Sequence, residues 1–527
     1  MRLKNILLIV ALLTCGRLLA EQPRLVVNIV VGSMRAEDME RYKPNFEMGG
    51  LKRLMHDGAY FTNSSYNCLL TTSPVSLTTL ATGAMPSTHG IIGERWVDYT
   101  TNKIITLLDD VMPDPKHIIA PTLSETILRQ SPKSKAVTIA CDASSAFLTA
   151  GRRGGEIYWL KDDAKWDHRS TTAAEMPRWV TKNNHDRYNE SYIEDRWTTQ
   201  IDYKKYINKR SFDIALAEHT IKRRKKGEIK GESRLTLRTT AEKMRYTPAG
   251  NSAVIGFAKQ AIVQYELGQD TEPDVLNVCL DAARYIAEAY GPESVEVEDM
   301  YYRLDQEIAD LMNFLSLQKC AENMVVVFTA AHGISPSYEL SSAENRRFNP
   351  RQFEVIVNGF LNVRYGSGDW VVGYDNKNLW LNHDLIYKRG VSLAQVQNEV
   401  ATFAMQFSGV SHALSATAMR NSYFGSGYAQ KMQNSFYPQR SGDVVINLMP
   451  EWIEDGYRQH AASGSMYGYD RNVPLIIYGT HLPAMHVSRQ IDQTSVAPTL
   501  AHILGITAPA ASEGEVLEEF LTHETTL

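Results

Sequence analysis

Residues 324–333 read Met-Val-Val-Val-Phe-Thr-Ala-Ala-His-Gly. Met324–Thr329 is a short apolar run of the length and β-branched composition that suit a buried strand. The form recurs at Leu25–Val31, which leads into Gly32-Ser33-Met34-Arg35, and again at Ala136–Cys141, Val275–Leu280 and Val473–Tyr478. Runs without polar alternation belong to strands covered on both faces. Helical patterns lie between them. The clearest covers Val295–Leu317, where Val297, Met300, Tyr301, Leu304, Ile308, Leu311, Met312 and Leu315 recur at three- and four-residue steps and form one apolar stripe. Near the end, Thr494 is placed to cap a helix through Ala497, Leu500, Ala501 and Leu504 that Gly505 stops. The alternation predicts an α/β sandwich: a central, mainly parallel sheet, helices on both faces, and a cleft at the carboxyl ends of the strands.

Composition narrows the function classes. The chain has 527 residues, 55 Lys+Arg against 60 Asp+Glu, a net charge of −5, 43% apolar and 22% charged residues. That balance excludes a disordered chain, a collagen-like repeat and a polytopic membrane protein. Weak acidity argues against a general nucleic-acid binder. Residues 1–20 read as a secretory signal: Arg2 and Lys4, the apolar run Ile6–Leu13, and a cleavage site ending at Ala20. The run is too short to span a bilayer. We therefore expect an exported protein, periplasmic or outer-membrane associated, with an extracellular location as the weaker alternative. A lipoprotein anchored through Cys15 is the weaker reading, because Thr14 suits lipidation poorly. Cys68, Cys141, Cys279 and Cys320 form no close pair and are expected to be buried free thiols.

Two stretches break the rhythm. Residues 151–250 are rich in Arg, Lys, Trp and Tyr, and residues 345–440 hold aromatic, Gly-punctuated segments such as Gly366–Tyr374. Both read as insertions that cap a core made of 21–150, 251–344 and 441–527. The basic run Lys222–Lys226 reads as a solvated helix end, with an acidic ligand as the alternative.

A set of short sequences identifies a family. They are Val30-Val31-Gly32-Ser33-Met34-Arg35; Ala81-Thr82-Gly83 with His89-Gly90-Ile91-Ile92-Gly93; Thr329-Ala330-Ala331-His332-Gly333; Ser463-Gly464-Ser465 with Val473-Pro474; and Ala497-Pro498-Thr499-Leu500. In order and spacing the chain resembles the alkaline phosphatase superfamily from about residue 24 to 508. The nearest branch is the bacterial alkaline phosphatases related to nucleotide pyrophosphatase/phosphodiesterases. The resemblance implies two zinc ions about 4 Å apart that polarise a phosphate ester and activate a Ser or Thr nucleophile.

Carried over residue by residue, that site is largely missing. The nucleophile position falls on Ser73, beside Thr72. The metal positions fall on Gly32, Arg284, Glu288, Ala331, His332 and Ser463. The phosphate contacts fall on Glu94, Cys141 and Ala143, the last two flanking Asp142. Glycine and alanine offer no donor, and a guanidinium has no lone pair to give. Only His332 is unchanged, and zinc sites need three or four protein ligands. No cofactor is therefore expected.

Three functions follow from these residues. The first is a catalytically inactive pseudo-phosphatase of the envelope that binds or scaffolds another envelope protein or ligand. The second is a phosphoric ester hydrolase with a rebuilt site: Ser73 as nucleophile, and Asp142, Glu94, Glu288 or His332 as base or single-metal ligand. The third is a binder of glycans or acidic ligands through Tyr158, Trp159, Trp166 and Trp179. The simpler readings are that these rings close the insertion's own core, that Ser73 caps a helix, that His332 is a hydrogen-bonded buried histidine, and that Arg284 and Glu288 form an ion pair. The sequence leaves the oligomeric state open.

Overall fold

The computed structural model describes residues 22–108, 113–171, 175–194, 197–209, 239–337, 346–455 and 460–521. The signal segment with Cys15, and the basic run Lys222–Lys226, lie outside the described residues. So does the remainder of both predicted insertions not covered by those ranges.

The five expected strands join one sheet with five that the sequence does not mark: Ala59–Ser65, Glu156–Leu160, Trp166–Ser170, Met485–Val487 and Ile491–Asp492. In chain order they are β1 (Leu25–Val31), β2 (Ala59–Ser65), β3 (Ala136–Ala140), β4 (Glu156–Leu160), β5 (Trp166–Ser170), β6 (Asp274–Leu280) and β7 (Met324–Ala330). A second set, β8 (Val371–Asp375), β9 (Asn378–Leu381), β10 (Val410–Ser415) and β11 (Val444–Leu448), stands apart. β12 (Asn472–Gly479), β13 (Met485–Val487) and β14 (Ile491–Asp492) complete the main sheet. Its order is β13-β2-β12-β7-β1-β6-β3-β4-β5, with β14 beside β2. β12 and β5 run against the other strands, which are parallel. The register sets Val31 beside Ala330 on one side and Leu280 on the other, so three strands end level where the chain turns out of the sheet.

Successive side chains point to opposite faces of a strand, and both faces of this sheet are covered. Val27, Ile29 and Val31 of β1 pack with Met300, Tyr301, Leu304 and Ile308 of α5 (Val295–Ser316) and with Phe257 of α3 (Ala249–Gln264). Val26 and Val30 face the other way. They join Leu77 and Leu80 of α1 (Ser73–Thr82), Phe147 of α2 (Ala143–Ala150) and Leu500 of α8 (Val496–Ile503). The stripe read over 295–317 is the buried face of α5, and Ser294 caps that helix by accepting from the Val297 N–H at 3.2 Å.

Thr494 does not cap α8. It lies inside a short turn, Gln493–Ser495, that is itself capped by Asp492, whose carboxylate accepts from the Thr494 N–H at 3.0 Å. An aspartate two residues earlier competes for the same turn, and a charged acceptor makes the stronger bond.

β4 and β5 extend the main sheet from within residues 151–250. The second set forms its own antiparallel sheet, β8-β9-β11-β10, with α6 (Pro350–Tyr365) and α7 (Leu393–Ala404) around a separate cluster of Phe353, Trp370, Val400 and Ile446. β11, which sequence places after the insertion, closes that sheet. All four described cysteines are buried and unpaired. Among the described residues no helix is long and apolar enough to cross a membrane.

Candidate functional site

The site lies where β1, β6 and β7 end together. The Ala331 N–H bonds to the Val31 carbonyl at 2.8 Å, and the Gly32 N–H bonds to the Leu280 carbonyl at 3.0 Å. Met34 N–H reaches back to the His332 carbonyl at 2.9 Å. Gly32 and His332, far apart in the chain, are thus backbone neighbours. A Cβ on Gly32 would stand 3.1 Å from the Arg284 Cβ, so these two positions face each other.

Arg284 projects from α4 (Ala282–Tyr290). Its Nη2 lies 3.4 Å from Asp142 Oδ2, and Nη1 lies 3.9 Å from Glu288, one helical turn on. The guanidinium also stacks 4.1 Å over the Tyr285 ring, and the Tyr285 hydroxyl reaches Asp142 at 3.3 Å. Burial alone would lower the Arg284 pKa. The surrounding Tyr285, Glu288, Asp142 and Asp281 outweigh it and hold the guanidinium well above its ordinary value. Asp281 is buried beside this cluster. Desolvation, then the Asp142 charge, push its carboxyl up to about 8, while it accepts from the Cys141 N–H at 2.9 Å. Asp142 caps α2 by accepting from Ser145 N–H, so Cys141 and Ala143 flank a cap and offer nothing to an anion.

Ser73 opens α1 as its first helical residue. It is not the cap: Thr72 holds that position, yet its side chain makes no capping bond. The Ser73 hydroxyl goes instead to His332, with Oγ to Nε2 at 2.9 Å. His332 Nδ1 lies 2.7 Å from the Gly333 carbonyl. A carbonyl only accepts, so Nδ1 carries the proton and Nε2 presents its lone pair to the Ser73 O–H. Burial drives the His332 pKa down to about 3, which keeps the ring neutral. The Gly333 carbonyl also accepts from Ser33 Oγ at 3.2 Å. A Cβ on Gly333 would overlap the Tyr469 carbonyl, so this close approach requires glycine.

Ser463 precedes Gly464, whose Cβ position lies 3.1 Å from Thr72 Cγ2, so it borders the start of α1. Glu94 is exposed, beside Gly93 and near the β8–β9 hairpin rather than against Ser73. His89 is a buried support: its Nδ1 accepts from Ile91 N–H and its Nε2 donates to Thr79 Oγ1 on α1. Sequence reasoning missed Lys377. It sits at the tip of the β8–β9 hairpin with φ 64° and 7% exposure. Its Nζ is 3.9 Å from Glu454 and 3.7 Å from the Cβ position of Gly464. The Asp375-Asn376-Lys377-Asn378 turn is legible as a hairpin, but nothing local says that its tip meets the cleft.

The aromatic platform dissolves on inspection. Tyr158, Trp166 and Trp179 close around Phe257, with centroids 4.9, 4.2 and 4.7 Å away, and Trp159 packs on Phe147 at 5.3 Å. Tyr158, Trp159 and Trp166 are buried and Trp179 is half-buried against Phe257, so these rings serve to close the core.

The residues present do not fit a zinc pair. Gly32 and Ala331 bring no donor, Arg284 brings a cation, and Glu288 faces that cation. Both ring nitrogens of His332 already have partners. Among the described residues no three His, Cys, Asp or Glu side chains gather in a set able to hold a metal ion.

Comparison with known proteins agrees with this architecture. The family model described as type I phosphodiesterase / nucleotide pyrophosphatase matches residues 26–470. Alkaline phosphatase PafA of Elizabethkingia meningoseptica is 25% identical over 520 residues, covering 95% of each chain. A protein of Myroides odoratus named calcium-transporting ATPase is 27% identical over 524 residues, again covering 95% of each. The crystal structure of PafA superposes with a TM-score of 0.84 at 23% identity, over 94% of this chain and 99% of that one. Phosphonoacetate hydrolase from Sinorhizobium meliloti 1021 gives a TM-score of 0.56 at 15% identity, over 92% of this chain and 97% of that one.

Proposed function

Because the chain belongs to the type I phosphodiesterase / nucleotide pyrophosphatase family of the alkaline phosphatase superfamily, we propose that it is a zinc-free pseudo-phosphatase of the bacterial envelope. In this reading the zinc-dependent hydrolysis of phosphate esters is gone, and the cleft serves to bind an envelope protein or ligand. The observation that carries it is Arg284. Its side chain starts 3.1 Å from where a Gly32 side chain would begin, and its guanidinium is held between Asp142 and Glu288. A protein cation fixed among carboxylates repels a divalent ion by Coulomb's law and occupies the ligands that could have neutralised one. Export rests on the signal-like residues 1–20.

The Ser73–His332 bond favours a second reading, hydrolysis of phosphate esters on Ser73 without metal. General-base assistance supplies only about 10²–10⁴-fold, far short of what a phosphate monoester requires. Arg284 is already paired with Asp142 and Glu288, so it is not free to clamp a phosphate dianion. The test is turnover of a generic phosphate monoester by the exported protein, with and without added zinc. We expect none above background in either condition. Turnover that rises with zinc and vanishes in Ser73→Ala would overturn the reading.

A further inference from the structure

We propose that Ser73 and His332 form a metal-independent nucleophile–base pair that accepts acyl groups from neutral carboxylic esters. The proposal goes beyond the binding role and does not depend on it. Three observations carry it. First, the hydroxyl is aimed: Ser73 Oγ is 2.9 Å from His332 Nε2, and the Nδ1 contact with the Gly333 carbonyl at 2.7 Å fixes the tautomer in which Nε2 accepts. A nucleophile bonded to a base that a third group orients is the arrangement general to Ser–His acyl transfer. Second, the third group is itself fixed. The Gly333 carbonyl accepts from Ser33 Oγ, and the Gly333 N–H donates to the Asp470 carbonyl at 2.6 Å.

Third, the start of α1 is left open. Thr72 is the N-cap but makes no capping bond, and its buried Oγ1 has no hydrogen-bond partner. The first N–H groups of a helix have no intrahelical acceptor. Pro74 has no N–H, so Ser73 and Val75 supply the donors beside the nucleophile. Backbone N–H groups held beside a nucleophile stabilise a developing oxyanion.

The same features select the substrate. A carbonyl attacked by Ser73 develops one negative charge, which the open helix end can take. A neutral ester enters without bringing a charge, whereas a phosphate dianion would have to be desolvated where the nearby cation, Arg284, is already paired to Asp142 and Glu288. The step balances without a metal. The Ser73 proton moves to His332 Nε2 as the Oγ–carbon bond forms; the buried ring is a weak base, so the imidazolium forms only while the oxyanion's negative charge stands beside it. The ester C–O bond then breaks, and the leaving alkoxide takes the proton from His332. Water repeats the sequence on the acyl-serine, releasing a carboxylic acid and restoring Ser73, which at 8% exposure keeps a narrow opening to solvent.

The experiment is to treat the full chain with a fluorophosphonate probe in the presence of EDTA, reading the adduct by intact mass and peptide mapping, with p-nitrophenyl acetate hydrolysis followed in parallel. The expected result is one adduct per chain, on Ser73, absent from Ser73→Ala. In His332→Gln, at an unchanged melting temperature, labelling should slow by about 100-fold or more. No adduct, an adduct elsewhere, or equal labelling in His332→Gln overturns the proposal. If His332→Gln does not fold, the wild-type rate decides. It must exceed that of a free N-acetylserine amide by about 100-fold, and parity with that unactivated hydroxyl overturns the pairing.

Discussion

Arg284 is the side chain on which the cleft depends. It is 17% exposed and its partners Asp142 and Glu288 are 13% and 18% exposed. Removing one member of a mostly buried ion cluster leaves the others desolvated and unpaired. Arg284→Ala should therefore cost about 2–4 kcal/mol in urea unfolding. Arg284→Lys should recover part of that, since it keeps the charge but not the planar fork. A variant as stable as the parent would mean that the carboxylates do not need the cation. Asp281 gives a second residue-scale test. Its carboxyl is raised to about 8 by burial and by Asp142. A carboxyl raised in the folded state contributes stability that is complete below its unfolded pKa of about 4 and is lost as pH rises through about 8. Asp281→Asn keeps an acceptor for the Cys141 N–H and cannot ionise, so it should flatten the decline in stability between pH 4 and 8. The histidines act on the acid side. His332, lowered to about 3, contributes stability above its unfolded pKa that is lost as pH falls toward 3. Melting curves of the parent and Asp281→Asn across pH 4–8 check the assignment, and parallel slopes would contradict it.

At the scale of elements, local pattern was informative where local forces decide. The apolar runs became β1, β3, β6, β7 and β12, and the three-and-four stripe became the buried face of α5, because burial on both sheet faces leaves those sequences no other use. Pattern was silent where a partner comes from far along the chain. Ser73 reads as a cap, yet its hydroxyl turns to a histidine 259 residues away. Thr494 reads as a cap, yet Asp492 holds that turn. The aromatic segment allows a ligand-stacking face or a small core of its own, and Tyr158, Trp166 and Trp179 take the second course around Phe257 on α3. Phe257→Ala should cost about 3–5 kcal/mol, the range for truncating a buried aromatic. Chemical denaturation would measure it. A loss under 1 kcal/mol would return those rings to the list of free surfaces.

At the scale of the whole molecule, the fold of the family is kept around a cleft whose residues lack the family's ligand set. The two-faced sheet, the level ends of β1, β6 and β7, and the glycine at 333 still bring Gly32, Ser73, Arg284 and His332 together, because packing maintains them independently of any ligand. The departures were legible in sequence as Gly32, Arg284, Ala331 and Ser463. The Arg284 cluster and the approach of Lys377 to Gly464 required the fold. Restoring one ligand should therefore fail. Gly32→Asp would place its Cβ 3.0 Å from the Asp281 Cα and 3.1 Å from the Arg284 Cβ, and Ala331→Asp would return one carboxylate with Arg284, Glu288 and Ser463 unchanged. Zinc titration calorimetry on each single variant should show no tight site. The five-fold variant that adds Arg284→Asp, Glu288→His and Ser463→His is the first expected to bind. The hydrogen bonds that orient such ligands must then also be rebuilt before turnover returns.

The most direct measurement is the zinc content of the purified protein after equilibration with zinc and removal of the excess, read by mass spectrometry of the metal against protein concentration. The account predicts substoichiometric zinc, unchanged in Ser73→Ala and in His332→Gln. Two zinc ions per chain, lost on substitution of His332, would contradict it.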